Sequence, residues 1–300
     1  MYTRKFWNVL IVDDQEDVHH VTQLALKRES FFGADLKFHH AHSAAEARAL
    51  FERQKGTWWD LAVAFIDVVM EDDHAGLDLC NYIRNEVGNQ TAQIVLRTGQ
   101  PGKAPARQVI DDYNISMYIT KEEANSERLY VVVKTALQQF FTMDTVVGSA
   151  WRMNMLRNLG DSPDQIAEFA TRYHRSTKIG EGLTLNAAYD LGDYYIGSGC
   201  FADKAEYEKT KRHILSRASA KLLRSQFEAP NPSSRYTLLR RSAVIDNHLV
   251  VQTRLLGSDD FVYLVIREPT CPRELHDFYG FLLSEELAFL AEILVGKRRR

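Results

Sequence analysis

Four stretches of this chain are rich in apolar residues, the run Leu61–Ile66 without interruption, and each ends on polar side chains. Trp7-Asn-Val-Leu-Ile-Val12 is followed by Asp13-Asp14, and Leu61-Ala-Val-Ala-Phe-Ile66 ends at Asp67. Gln93-Ile-Val-Leu-Arg97 leads into Thr98-Gly99, and Met117-Tyr-Ile119 into Thr120-Lys121. Continuous runs of this kind are the mark of strands covered on both faces, as in a parallel sheet between helices. Leu36-Lys-Phe38 reads as a fifth, weaker strand. Between the runs the period changes. Val18, Val21, Leu24 and Ala25 recur at helical spacing. Ser43 starts a helix through Ala44, Ala47, Leu50 and Phe51, with Glu46 completing a capping box. Residues 76–86 are amphipathic, Pro105 to Asp112 predicts a short helix, and a long helix begins near Asn125.

Five strands alternating with five helices predict parallel pairing. In such a sheet the carboxyl ends of the strands share one rim, which is where open α/β sheets bind ligands. Asp13-Asp14, Asp67, Thr98 and Lys121 each follow a different strand, so they converge there. Asp67 taken alone also reads as a helix N-cap; four polar strand ends on one rim favour chemistry. Three carboxylates at close range oppose one another's ionisation. A hard divalent cation such as magnesium resolves this, because it takes oxygen ligands and keeps its own waters. With that charge in place Asp67 can act as a nucleophile towards phosphorus, Lys121 can hold a phosphate oxygen, and the Thr98 hydroxyl can donate to another.

The second half has a different pattern. From Leu129 an apolar series runs through Val133, Ala136, Phe140, Met143, Val147 and Ala150 in alternating steps of four and three, a heptad seam. Its first part serves equally to pack the helix on its own sheet, and Gly148-Ser149 is a place for a kink. Asp161-Ser-Pro163 starts a further helix, Tyr195-Ile-Gly-Ser-Gly-Cys200 reads as a turn, and residues 205–223 form a basic amphipathic helix. Its Lys209, Lys211, Arg212 and Arg217 are read as a solvated face. After the loop of residues 228–234, residues 236–245, 248–256 and 261–266 are strand-like with short connections, predicting an antiparallel meander. A helix over 272–294 and the basic tail Lys297-Arg-Arg-Arg300 follow.

Length suits two domains, and a net charge of −3 makes no case for nucleic acid or a membrane surface. Three distant cysteines, Cys80, Cys200 and Cys271, speak for a reducing compartment. No apolar run reaches the ~18 residues of a membrane helix, and the N-terminus carries no signal-peptide pattern. A cytoplasmic protein is expected.

Together the strand-end residues closely resemble the receiver domains of two-component response regulators, whose fold is a flavodoxin-like doubly wound five-stranded parallel sheet. The resemblance covers roughly residues 6–141. It implies Asp67 as phospho-acceptor, and Asp13, Asp14, Asp67 and the Val69 backbone carbonyl as magnesium ligands. It also implies Thr98 as the switch hydroxyl, Tyr118 as the switch aromatic and Lys121 as the phosphate-binding lysine. A cognate histidine kinase or phosphotransfer protein is the implied partner. Two departures stand out. The usual Met-Pro after the acceptor is replaced by the longer, more acidic Val69-Met-Glu-Asp-Asp-His-Ala-Gly76, which bears on magnesium affinity or kinase choice. The proline expected after the lysine is Glu122, so a trans peptide is expected there. Arg97-Thr-Gly-Gln-Pro-Gly102 resembles a narrower subgroup, whose receivers are followed by a GAF-like domain and often by a cyclic-di-GMP phosphodiesterase.

The expected organisation is a receiver over 1–141, a connector helix over 142–160 and an α+β GAF/PAS-like domain over 161–300. His276-Asp277 resembles the HD pair of metal phosphohydrolases, but no further His or Asp follows it; GGDEF, EAL and GYP sequences are missing too. The reading is therefore a response regulator that transmits phosphorylation of Asp67 through the connector, as a homodimer, to a binding domain and an unnamed output protein. A small-molecule sensor and a DNA-binding regulator are the alternatives.

Overall fold

The computed structural model describes residues 3–53, 60–99, 110, 112–158, 183–184, 186–192, 194–217, 242–254, 260–267 and 272–296. The chain divides into two compact units. One is Lys5–Asp144 with residues 179–182; the other holds residues 1–4, 145–178 and 183–300.

The first unit is built on strands β2 (Phe6–Val12), β3 (Asp35–Ala41), β4 (Leu61–Asp67), β5 (Gln93–Thr98) and β6 (Met117–Thr120), after a two-residue β1 (Thr3–Arg4) that belongs to the other unit. The sheet order is β3-β2-β4-β5-β6, and every neighbouring pair is parallel. Every residue of β4 and β5 is buried: β4 is apolar up to Asp67, and β5 buries the polar Gln93, Arg97 and Thr98 around Ile94-Val-Leu96. Strand order reverses between β2 and β4, so their carboxyl ends, carrying Asp13 and Asp67, flank the switch point where doubly wound sheets bind ligands.

Helices α1 (Glu16–Leu26), α2 (Ala44–Arg53), α3 (Ala75–Asn81) and α4 (Ser126–Asn158) complete the described part, α3 running on into a π-helical turn, Tyr82–Glu86. Asn125 caps α4, its Oδ1 accepting from the Arg128 amide at 2.9 Å. In α1 the buried residues are His19, Thr22 and Leu26, whereas Val21 and Leu24 are 57% and 77% exposed. The helical spacing is as expected, but the inward face is polar because it covers polar groups, as described below. Along α4, Leu129, Val133, Ala136 and Phe140 are buried, while Met143, Val147 and Ala150 are exposed. The helix continues through Gly148-Ser149. The helix expected over Pro105 to Asp112 lies mostly outside the described residues.

The other unit carries a five-stranded antiparallel sheet in the order β10-β11-β12-β8-β9. Its strands are β8 (Ala187–Asp190), β9 (Tyr195–Gly197), β10 (Ser242–Ile245), β11 (His248–Arg254) and β12 (Phe261–Arg267), while β7 (Leu183–Thr184) pairs with β1. The expected meander is β10-β11-β12; β8 and β9 add two strands that the pattern did not announce. The turn read over residues 195–200 is instead β9 followed by a 3₁₀ turn, Gly199–Ala202. Its glycines answer to sterics: a Cβ on Gly197 would lie 1.9 Å from the Phe201 carbonyl oxygen, and Gly199 has φ +60°. Helix α5 (Lys204–Ser216) ends earlier than expected, and α6 (His276–Gly296) follows a 3₁₀ turn, Arg273–Leu275. Of the basic residues on α5, Lys211 pairs with Asp190, and Arg217, its C-cap, with Asp246. The helix start at Asp161-Ser-Pro163, the loop of residues 228–234 and the basic tail lie outside the described residues. Among those described, no helix is long and apolar enough to cross a membrane.

Candidate functional site

The strand-end pattern brings five residues to the rim, the resemblance adds Val69 and Tyr118, and the strands deliver the side chains that matter. Asp13 follows β2 directly and is fully buried; Asp67 ends β4 at 3% exposure; Asp14 is exposed. One oxygen from each of these carboxylates lies within 4.8 Å of the others. Thr98, the last residue of β5, is fully buried. Lys121 follows β6, its amide donating to the Thr98 carbonyl at 2.9 Å. Its Nζ reaches across the pocket, 2.6 Å from Asp67 Oδ2 and 3.1 Å from Asp13 Oδ1.

Burial raises the Asp67 pKa, the Lys121 hydrogen bond opposes the rise, and the Asp13 charge reinforces it. The Val69 amide donates to the same carboxylate. Tyr118, on β6, is half-buried; burial raises its pKa, and its hydroxyl is hydrogen-bonded to the Thr98 side chain. The predicted switch pair is therefore already in contact. The donor set is oxygen-only and carries more negative charge than Lys121 balances, and Asp13 Oδ2 is a buried oxygen without a hydrogen-bond partner among the described residues. This is the chemistry a hard divalent cation fits.

The two departures from the receiver pattern have structural explanations. Glu71, in the acidic loop, caps α2, its two oxygens accepting from the Ala44 and Ala45 amides at 3.2 Å each. Asp72 closes its own turn by accepting from the His74 amide at 2.7 Å. After Lys121 no cis peptide occurs. The loop is held by a reciprocal pair instead. Thr120 Oγ1 accepts from the Glu123 amide at 3.2 Å, and Glu123 accepts from the Thr120 amide at 3.0 Å.

Three further residues shape the site. Gly76 opens α3 so close to β4 that a Cβ would lie 1.9 Å from the Asp67 carbonyl oxygen. His19 Nε2 donates to the Asp13 carbonyl at 2.7 Å, which leaves its Nδ1 to accept from His40 Nδ1 at 2.9 Å. Arg97, paired in register with Asp67, is 1% exposed and donates to Thr22 Oγ1 at 2.6 Å. Only Gly76 had a local signal, a small residue at a helix start after the acceptor. The other two lie on elements whose inward face the sequence period does not reveal. Beside Lys121 opens a cleft of about 210 Å³ lined by Asp17, Val18, Val21, Thr22, Arg97 and Ala124.

Residues 9–134 match the family model of the response regulator receiver domain, and this part of the chain is a receiver domain. The chain is 40% identical over 140 residues to 3'3'-cGAMP-specific phosphodiesterase 2 of Vibrio cholerae serotype O1, a stretch that is 47% of this chain and 26% of that protein. It thus spans about a quarter of that relative's length. Similar solved structures include the signal receiver domain of an HD domain-containing protein from Pseudomonas fluorescens (20% identity, 48% of this chain and 93% of that one, TM-score 0.38). Another is a signal receiver domain of a two-component histidine kinase from Clostridium thermocellum (19% identity, 44% and 97%, TM-score 0.37).

Proposed function

We propose that this protein is a response regulator that accepts a phosphoryl group on Asp67 and passes the change to its second unit. The observation that carries the reading is the Lys121 ammonium spanning Asp67 and Asp13 inside a three-carboxylate pocket at the sheet's switch point. An Asp67 oxygen attacks the phosphorus of a phosphohistidine on a histidine kinase or phosphotransfer protein. The new bond is O–P, the P–N bond breaks, and its electron pair leaves with the imidazole. With acetyl phosphate the bond broken is P–O and acetate leaves.

Asp13, Asp14, Asp67 and the Val69 carbonyl would hold magnesium, which supplies positive charge against the phosphoryl oxygens. Lys121 is placed to move from Asp13 to a phosphoryl oxygen, and the Thr98 hydroxyl to exchange Tyr118 for another. That exchange frees Tyr118 to repack, a two-state change in β5–β6.

Leu129, Val133, Ala136 and Phe140 are buried in the chain's own core and cannot join two protomers, so for output we propose a homodimer joined along the exposed Met143–Ala150 part of the seam, with the GAF/PAS-like unit as a binding surface in the cytoplasm. Exposed Met143, Val146 and Val147 on the connector part of α4 support this reading. From the Vibrio cholerae relative we carry over no hydrolytic step.

The test is labelling by acetyl phosphate with magnesium. One phosphoryl group is expected, lost in Asp67→Asn and on chelation. Thr98→Ala should label but fail to change hydrogen exchange at residues 112–120. Labelling that persists in Asp67→Asn overturns the assignment.

A further inference from the structure

The carboxylate pocket has a second cation that the phosphoryl chemistry leaves unused. The Arg97 guanidinium lies behind Asp13, its Nη2 3.7 Å from Asp13 Oδ2, with side-chain exposures of 2% and 0%. Nη1 donates to Thr22 Oγ1, and the guanidinium carbon stands 5.3 Å from the centre of the Phe65 ring. Arg97 Nε and Nη2 and Asp13 Oδ2 have no hydrogen-bond partner among the described residues. A sealed guanidinium and a sealed carboxylate oxygen thus face each other at a distance where charge acts and a hydrogen bond does not.

The two cations of the pocket differ in freedom. Lys121 is 18% exposed and touches both Asp13 and Asp67, so it can turn towards an arriving group. Arg97 is held by Thr22 and Phe65 and cannot follow. Burial lowers its pKa, the Asp13 and Asp67 charges oppose that, and a guanidinium stays charged in any case. It is a constant positive charge behind a ligand of the cation site.

Building on the phospho-accepting reading, we propose that Arg97 is a fixed counter-charge that weakens divalent-cation binding in the resting pocket, so that tight binding waits for the phosphoryl group. At rest Arg97 and Lys121 together offset two of the three carboxylates, and a divalent cation meets a pocket that is nearly neutralised. Phosphorylation adds negative charge and draws Lys121 away from Asp13, while Arg97 stays. Cation affinity then rises, and by reciprocity the cation favours the phosphorylated state.

The probe is magnesium alone, by isothermal titration calorimetry on the full chain, with and without beryllofluoride as the phosphoryl mimic. Arg97→Met removes the charge and keeps most of the volume. It should bind magnesium roughly tenfold more tightly than wild type, with and without beryllofluoride alike, because the charge removed is the same in both states. Arg97→Gln, which keeps a donor for Thr22, should shift the same way and serves if the Met variant fails to fold. A disturbed pocket would lose affinity, so a gain separates the charge effect from structural damage. Unchanged or weaker binding in a folded variant overturns the proposal while leaving phosphorylation of Asp67 standing. Absence of magnesium binding in wild type overturns the metal reading and this proposal with it.

Discussion

Gly76→Ala tests whether the acceptor is positioned by the close approach of α3 to β4. The added Cβ would lie 1.9 Å from the Asp67 carbonyl oxygen, 2.8 Å from its carbonyl carbon and 2.9 Å from the Val68 Cα. Carbon and carbonyl oxygen ordinarily stay roughly 3.3 Å apart, so α3 and β4 must separate by about 1.4 Å. All three atoms belong to backbone, and no side chain can turn away. The separation also strains the bond from the Gly76 amide to the Val68 carbonyl, now 3.1 Å. Overpacking of this kind costs about 1–3 kcal/mol, and the hydrogen bond contributes about 1 kcal/mol. Alanine's better helix propensity returns up to about 1 kcal/mol. The net loss is about 1–3 kcal/mol. Gly99→Ala is the control at the same rim: its Cβ would meet only Lys121 Cδ, at 3.8 Å, and should cost less than about 0.5 kcal/mol. The assay is native-state hydrogen exchange of the β4 amides, with acetyl-phosphate labelling in parallel. Gly76→Ala should lower both protection and labelling, and Gly99→Ala neither. If Gly76→Ala keeps wild-type protection and labels normally, the close approach does not position Asp67.

Two other expectations concern charge and assembly. The raised Asp67 pKa means that its ionisation costs more in the folded chain than in the unfolded one. Its contribution to stability is therefore present below the ordinary Asp range and lost as pH rises through the folded-state value. Asp67→Asn should melt above wild type at neutral pH in metal-free buffer, the gap closing as pH falls towards the ordinary Asp range; a gap that widens on acidification contradicts the sign. Val147 is 56% exposed on α4. Val147→Glu should weaken self-association by on the order of tenfold in sedimentation velocity and leave Asp67 labelling intact, whereas a monomeric wild type in both phosphorylation states removes the dimer.

The first unit was legible because its chemistry sits on its strands. β2, β4 and β5 are buried on both faces, so each is written as a run of apolar residues, and a parallel sheet sends every carboxyl end to one rim. Asp13, Asp67, Thr98 and Lys121 could thus be placed together from local pattern alone. The second unit was read in part. Its meander β10-β11-β12 follows from short connections, but β8 and β9 are short, and β8 pairs with β12 more than 70 residues away. No local period announces a partner at that distance.

What the sequence determined by itself is the strand run and its last residue, and therefore which carboxylate is proposed as the acceptor. The surroundings of that acceptor were decided by the tertiary structure. Arg97 stands one residue before the end of a buried strand and looks from sequence like the strand's polar exit. Only the packing of α1 over the sheet seals it against Thr22 and behind Asp13. For the same reason α1 turns His19 and Thr22 inward and leaves Val21 and Leu24 to solvent: a helix covering charged and carbonyl groups must satisfy them, and that requirement outweighs the burial of two aliphatic side chains. Glu71 belongs by sequence to the acidic loop, yet the unpaired amides opening α2 take its carboxylate. Which of several acids joins the carboxylate cluster and which caps a helix depends on distances between segments, and those exist only in the folded chain.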